Sequence, residues 1–216
     1  FPRLLLLLPP LLPGLLLLLP LLSATNAATK WSVTAGACVA LDDCVASSNY
    51  PNDYGPNERC TFAPKAQHLG ERIYTVAFNV ERQYDHLSID VSGVAYTFTG
   101  DGGGPGIASA DNPTTATWKS DGSTQKTGWK ICLAAPCANR DGTLENTAGG
   151  ATSCVCDADA VTICTTSTGL YCNGQVCSLF PVCLHVLGAQ QNTETCACGV
   201  RNCNAATPFC YAVASL

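Results

Sequence analysis

The chain has 216 residues, 15 cysteines, no methionine and a formal net charge of −5, with only 12% of residues charged. No basic stripe exists, so nucleic-acid binding and docking on an anionic membrane surface lack an electrostatic basis. Eleven of the cysteines follow position 135, a density that belongs to an oxidising compartment and excludes an ordinary cytosolic thiol protein.

Phe1-Pro2-Arg3 precedes a leucine run from Leu4 to Leu22, broken by Pro9, Pro10, Pro13, Gly14 and Pro20, and then the small residues Ser23 to Thr29. A positive start, an apolar middle and a small-residue end predict a secretory signal peptide over residues 1–28, cleaved near Ala27 or Ala28. The competing reading is a membrane anchor, for which the run is just long enough. Its prolines, and the lack of flanking Lys or Arg beyond Arg3, weigh against that. A first residue of Phe1 suggests a fragment, so membrane attachment enters only through an anchor downstream of Leu216.

Residues 29–135 alternate between apolar and polar. Tyr74, Val76, Phe78 and Val80 point one way, and Ile73, Thr75, Ala77 and Asn79 the other. Leu87-Ile89-Val91, Val94-Tyr96-Phe98, Ala116-Trp118 and Trp129-Ile131-Leu133 repeat the pattern. Turn clusters separate them at Pro51-Asn52-Asp53, at Asp101 to Gly106 and at Ser120-Asp121-Gly122-Ser123. Period-2 segments bounded by such turns predict the strands of one antiparallel β-sandwich, and about 100 residues suits one such domain.

Four motifs stand in order along this stretch: Ser47-Ser48-Asn49-Tyr50-Pro51-Asn52-Asp53-Tyr54 running into Asn57-Glu58-Arg59-Cys60-Thr61-Phe62; Phe78-Asn79-Val80-Glu81; Tyr84-Asp85-His86-Leu87; and Trp118-Lys119-Ser120-Asp121 with Thr127-Gly128-Trp129. Together they resemble the signature of CUB domains, with Ser48 in place of a proline and Phe62 in place of a tryptophan. The resemblance implies a jelly-roll of two sheets. It also implies a calcium ion at one end, held by Glu81, Asp85 and Asp121 with Ser123 as a loop contact and Tyr54 supporting from behind. Oxygen ligands, chiefly carboxylates, suit that hard ion, and the three carboxylates would repel one another without it. This chain departs from the calcium-binding members in its short loop between Glu81 and Asp85 and in having no cysteine between Cys60 and Cys132. For Cys38, Cys44, Cys60 and Cys132 the resemblance favours Cys38–Cys60 with Cys44–Cys132, and leaves Cys44–Cys60 with Cys38–Cys132 open.

From residue 136 large apolar side chains are scarce, so disulfides must replace a core. Cys137, Cys154, Cys156, Cys164, Cys172 and Cys177 make one six-cysteine unit over 136–180. Cys183, Cys196, Cys198, Cys203 and Cys210 make five-sixths of a second over 181–216, with its missing cysteine expected near or past Leu216. All fifteen cysteines are expected in disulfides. Zinc is disfavoured, because the arrays lack Cys-x-x-Cys spacing and the only histidine nearby is His185. The expected fold is therefore an all-β sandwich followed by small, mostly irregular disulfide-rich repeats.

No catalytic motif occurs. There is no Gly-x-Ser-x-Gly elbow and no His-Glu-x-x-His, and His68, His86 and His185 fall outside any assembled set of roles. The reading is a non-enzymatic, secreted or cell-surface binding protein that recognises an extracellular protein or glycan in a calcium-dependent way. The alternatives are a structural repeat protein of a matrix or surface, and the accessory region of a larger secreted protease.

Overall fold

A computed structural model describes residues 29–105, 113–148, 151–156, 162–187, 189–198 and 201–210. The leader expected over 1–28, the end of the glycine-rich turn at Gly106 and the site expected for the sixth repeat cysteine fall outside them. Among the described residues no helix is long and apolar enough to cross a membrane.

The chain is all-β. In order the strands of the sandwich are β1 (Trp31–Gly36), β2 (Val39–Leu41), β3 (Cys44–Ala46), β4 (Arg59–Pro64), β5 (Arg72–Asn79), β6 (His86–Val91), β7 (Val94–Phe98), β8 (Pro113–Lys119) and β9 (Gly128–Ala134). They form a five-stranded sheet in the order β1-β4-β8-β6-β7 and a four-stranded sheet in the order β2-β3-β9-β5. Every pairing within both is antiparallel.

Alternation explains most of the packing, since successive side chains of a strand face opposite ways. Leu87, Ile89 and Val91 of β6, Ala116 and Trp118 of β8, and Trp129, Ile131 and Leu133 of β9 are all buried between the sheets. Rings dominate the centre. Trp31 meets Phe62 edge-on at 5.6 Å, Phe62 stacks on Trp129 at 5.3 Å, Trp129 meets Trp118 at 5.9 Å, and Trp118 meets Tyr54 at 5.1 Å. This file of five rings runs through the sandwich and finishes at the Tyr54 phenol, beside the acidic loops.

Two strands depart from simple alternation. In β5 the register with β9 shifts between Thr75 and Ala77. A bulge adds one residue to one strand and inverts the facing of the residues after it. Ile73 and Phe78, expected on opposite faces, are therefore both buried, while Val76 is 51% exposed. In β7, Val94 and Tyr96 are 56% and 50% exposed. β7 is the outer strand of its sheet, so no further strand covers it.

Of the two cysteine pairings left open in the sandwich, Cys38 bonds Cys60 and Cys44 bonds Cys132. Cys44 and Cys132 are direct partners across β3 and β9.

Beyond the sandwich, short hairpins replace sheets: β10 (Ser153–Val155) with β11 (Ile163–Thr165), β12 (Tyr171–Asn173) with β13 (Val176–Ser178), and β14 (Cys196–Cys198) with β15 (Arg201–Cys203). Cys137 bonds Cys154, Cys156 bonds Cys172 and Cys164 bonds Cys177; after them Cys183 bonds Cys196 and Cys198 bonds Cys210. Cys203 is buried and free among the described residues, and the sixth cysteine expected for its unit lies near or past Leu216, outside them. Its counterpart Cys164 uses Cys177, and no described residue of the second unit supplies the equivalent thiol.

A second device repeats with the disulfides. The buried Asn146 side chain accepts from the Asn139 amide at 2.8 Å and donates to the Asn139 and Leu170 carbonyls, each at 2.9 Å. Asn192 does the same with the His185 amide at 3.0 Å, the His185 carbonyl at 2.8 Å and the Pro208 carbonyl at 3.3 Å. One amide thus bonds three backbone groups in a unit whose only sheets among the described residues are two-stranded hairpins.

Candidate metal centre

The site lies at the end of the sandwich where β5 leaves for β6 and β8 leaves for β9. Glu81 follows β5, Asp85 sits just before β6, and Asp121 follows β8. The tight turn between the first two is closed by the Asp85 amide donating to the Glu81 carbonyl at 3.3 Å, with Gln83 at a positive φ of 74°. One carboxylate oxygen from each of Glu81, Asp85 and Asp121 lies within 4.8 Å of the others.

Asp85 is the fixed member, with 0% exposure. Its Oδ1 accepts from the Asp121 amide at 2.8 Å and its Oδ2 accepts from the Tyr54 hydroxyl. The Tyr54 oxygen in turn accepts from the Glu81 amide at 3.1 Å. One phenol at the tip of the aromatic core therefore holds both acidic positions that flank the β5–β6 turn. Burial raises the Tyr54 pKa well above the ordinary phenol value, and its hydrogen bond to the Asp85 carboxylate adds to this, so the hydroxyl stays a donor. Asp121 is set by its own turn, where Oδ1 accepts from the Ser123 amide at 2.9 Å. The Ser123 contact in the structure is thus from its backbone amide to Asp121, and the residue is otherwise exposed.

A resident cation fits this set. The donors are hard oxygens, and a 4.8 Å spread suits oxygens that each sit about 2.3–2.6 Å from one shared calcium ion. Glu81 Oε2 is buried without a hydrogen-bond partner. An orphaned carboxylate oxygen beside two more carboxylates is what a bound cation would satisfy.

Sequence reasoning missed the scaffold behind these carboxylates. Glu58 Oε1 accepts from the Gly55 amide at 2.6 Å and from the Ser48 hydroxyl, and Oε2 accepts from Trp118 Nε1 at 3.4 Å. Ser120 donates to the Gly55 carbonyl at 2.9 Å and accepts from the Glu58 amide at 2.8 Å. Together they tie the 55–58 loop to the end of β8, which carries Asp121. The Ser48 hydroxyl is one of the ties. Both Glu58 and Ser120 lay inside the recognised motifs, but their roles need the loops brought together.

Gly128 supports the same end. It holds φ +80°, and a Cβ there would sit 2.0 Å from Ser47 Oγ and 3.4 Å from Tyr54 Cδ1. Ser47 Oγ accepts from the Trp129 amide at 3.1 Å, so the glycine lets β9 start close against the motif that ends in Tyr54.

Residues 36–133 match the family model of the CUB domain. This part of the chain is a CUB domain. Among solved structures, the CUB2 domain of MASP-1 bound to Ca2+ matches at 20% identity and a TM-score of 0.38, covering 43% of this chain and 90% of that one. The full extracellular region of zebrafish Gpr126/Adgrg6 matches at 27% identity and a TM-score of 0.36, over 42% of this chain and 13% of that one. The CUB1-EGF-CUB2 region of human MASP-1/3 matches at 21% identity and a TM-score of 0.36, over 52% of this chain and 50% of that one. No curated protein matches the chain. The CUB domain with its disulfides marks an extracellular protein, and CUB domains are in general binding modules rather than catalysts.

Proposed function

We propose that the protein is a secreted, non-catalytic binding protein whose CUB domain recognises an extracellular protein or glycan along an edge shaped by calcium. The observation that carries this reading is the convergence of Glu81, Asp85 and Asp121, with Asp85 buried and hydrogen-bonded by Tyr54 and by the Asp121 amide. A calcium ion there would neutralise three like charges and join the β5–β6 turn to the β8–β9 turn. Calcium affinity is then also affinity for one loop arrangement, because ligand binding stabilises the state that binds. The leader-like run of residues 1–28 and the disulfides support export. The stapled units after residue 135 act in this reading as a spacer behind the binding domain.

The test is thermal unfolding of the full chain during a calcium titration from EDTA to millimolar. The expected result is a rise in midpoint that saturates and that Asp121→Ala removes. No rise, or a rise that survives Asp121→Ala, overturns the calcium part of the reading.

A further inference from the structure

The outward face of the five-stranded sheet carries a row of basic side chains that the acidic loops do not use. Arg59 of β4 and His86 of β6 are each direct cross-strand partners of Lys119 on the intervening β8. Three basic side chains therefore stand in one row across three strands. The next outward row on the same face is made of hydroxyls. Thr61 pairs with Thr117, Thr117 with Ser88, and Ser88 with Thr97. Both rows line a single open groove of about 470 Å³, within the roughly 300–1,000 Å³ of small-ligand sites.

The charge arrangement is unusual for this molecule. The chain carries a net −5, yet here cations adjoin one another. Like charges placed directly across strands destabilise a sheet. Among the described residues neither Arg59 nor Lys119 has a carboxylate within ion-pair distance; the cations that do are Lys30, His68 and Arg82. His86 Nδ1 is buried without a hydrogen-bond partner. An oxyanion set between Arg59 and Lys119 would relieve the repulsion and take charge-assisted hydrogen bonds from both.

The rest of the groove decides what carries the oxyanion. The two apolar residues that line it, Cys60 and Trp118, are buried, so their side chains offer no exposed anchor. Peptide partners draw most of their binding energy from apolar and aromatic anchors in pockets, and this groove has none. A row of four hydroxyls suits a ligand that itself presents hydroxyls. We propose that this face binds a sulfated or carboxylated saccharide, with its anionic group on the Arg59–Lys119–His86 row and its sugar hydroxyls on the Thr61–Thr117–Ser88–Thr97 row. None of its side chains belongs to the acidic cluster, and binding is expected without calcium, although His86 adjoins Asp85 and Lys119 lies two residues before Asp121.

The experiment is calorimetric titration of the full chain with a sulfated heparin-derived tetrasaccharide, in EDTA. Saturable binding is expected, weakened at least about tenfold by Lys119→Ala and by Arg59→Ala separately, the loss of one hydrogen bond to a charged group. Thr117→Val is expected to weaken it by a smaller factor, and the desulfated tetrasaccharide to bind at least about tenfold more weakly. Both cations are exposed, and unchanged thermal midpoints would show that these variants fold. No saturation by millimolar tetrasaccharide overturns the proposal, as does affinity unchanged in both cation variants. Inorganic sulfate that displaces the tetrasaccharide at equal concentration would show an oxyanion site without sugar recognition. A phosphoserine peptide that binds more tightly would show a peptide site, and either result overturns the saccharide assignment. Loss of the calcium response in Asp121→Ala with tetrasaccharide binding intact would separate this site from the calcium reading.

Discussion

The hydroxyl of Tyr54 donates to Asp85 while its oxygen accepts the Glu81 amide, so one phenol fixes two of the three acidic positions at the end of the sandwich. Tyr54 is at the same time the last ring of the aromatic core, packed edge-on against Trp118. The stability of the core and the geometry of the acidic loops therefore rest on a shared residue.

Tyr54→Phe keeps the ring and deletes both hydrogen bonds. Asp85 would be left buried with one partner fewer, which costs roughly 1–3 kcal/mol. Urea unfolding in EDTA is expected to show a loss of that size, and calcium titration a weaker affinity as the β5–β6 turn loosens.

The same phenol sets an alkaline limit. Its pKa is raised in the folded protein, chiefly by burial, and that of Tyr74 is raised by burial as well. The folded state thus holds these protons where the unfolded chain gives them up. Their contribution is full below the ordinary phenol pKa of about 10 and is lost as pH rises above it. Stability followed by circular dichroism from about pH 8 to 12 is expected to fall above about pH 10, and Tyr54→Phe to make that fall shallower.

Glu81→Gln separates repulsion from ligation. Without calcium, removing one of three close carboxylates is expected to raise the unfolding midpoint. With saturating calcium it is expected to lower the midpoint relative to the parent chain, because a ligand is lost. Paired melts in EDTA and in calcium read both signs.

Gly128→Ala places a methyl group 2.0 Å from Ser47 Oγ at a backbone angle that favours glycine. Strain at such a position costs on the order of 1–3 kcal/mol before the clash is counted. Thermal unfolding is expected to show at least that loss, and calcium affinity to fall with it because Tyr54 lies against the same position.

Asn146→Ala removes the side chain that satisfies three backbone groups of the first repeat unit. A loss of roughly 1–3 kcal/mol is expected, the cost of leaving buried polar groups unpaired. Hydrogen exchange is expected to speed at Asn139 while the amides of β6 and β8 remain protected.

Some of this was legible in the chain itself. Alternation at Leu87-Ile89-Val91 and Trp129-Ile131-Leu133 marks strands because period 2 is a local property of an extended backbone. The order of the motifs pointed to the CUB domain, and cysteine spacing exposed the repeat. Other features could not be read this way. The facing of Ile73 and Phe78 depends on a bulge at Val76, which only pairing with β9 reveals. The exposure of Val94 and Tyr96 depends on β7 being the outer strand of its sheet. Asn146 and Asn192 carry no signal beyond a 46-residue spacing, the same as that between Cys137 and Cys183.

The sequence by itself determined which residues are acidic, which alternate, and which cysteines recur, because each of these is a matter of composition or short-range spacing. The motif resemblance already implied that Glu81, Asp85 and Asp121 share one site; only the tertiary structure decided that the Asp121 amide holds the buried Asp85 there, that Glu58 and Ser120 tie the loops beneath it, and that Arg59, Lys119 and His86 form one row. Those are contacts across strands far apart in the chain, and they exist only once hydrogen bonding has set the register between them.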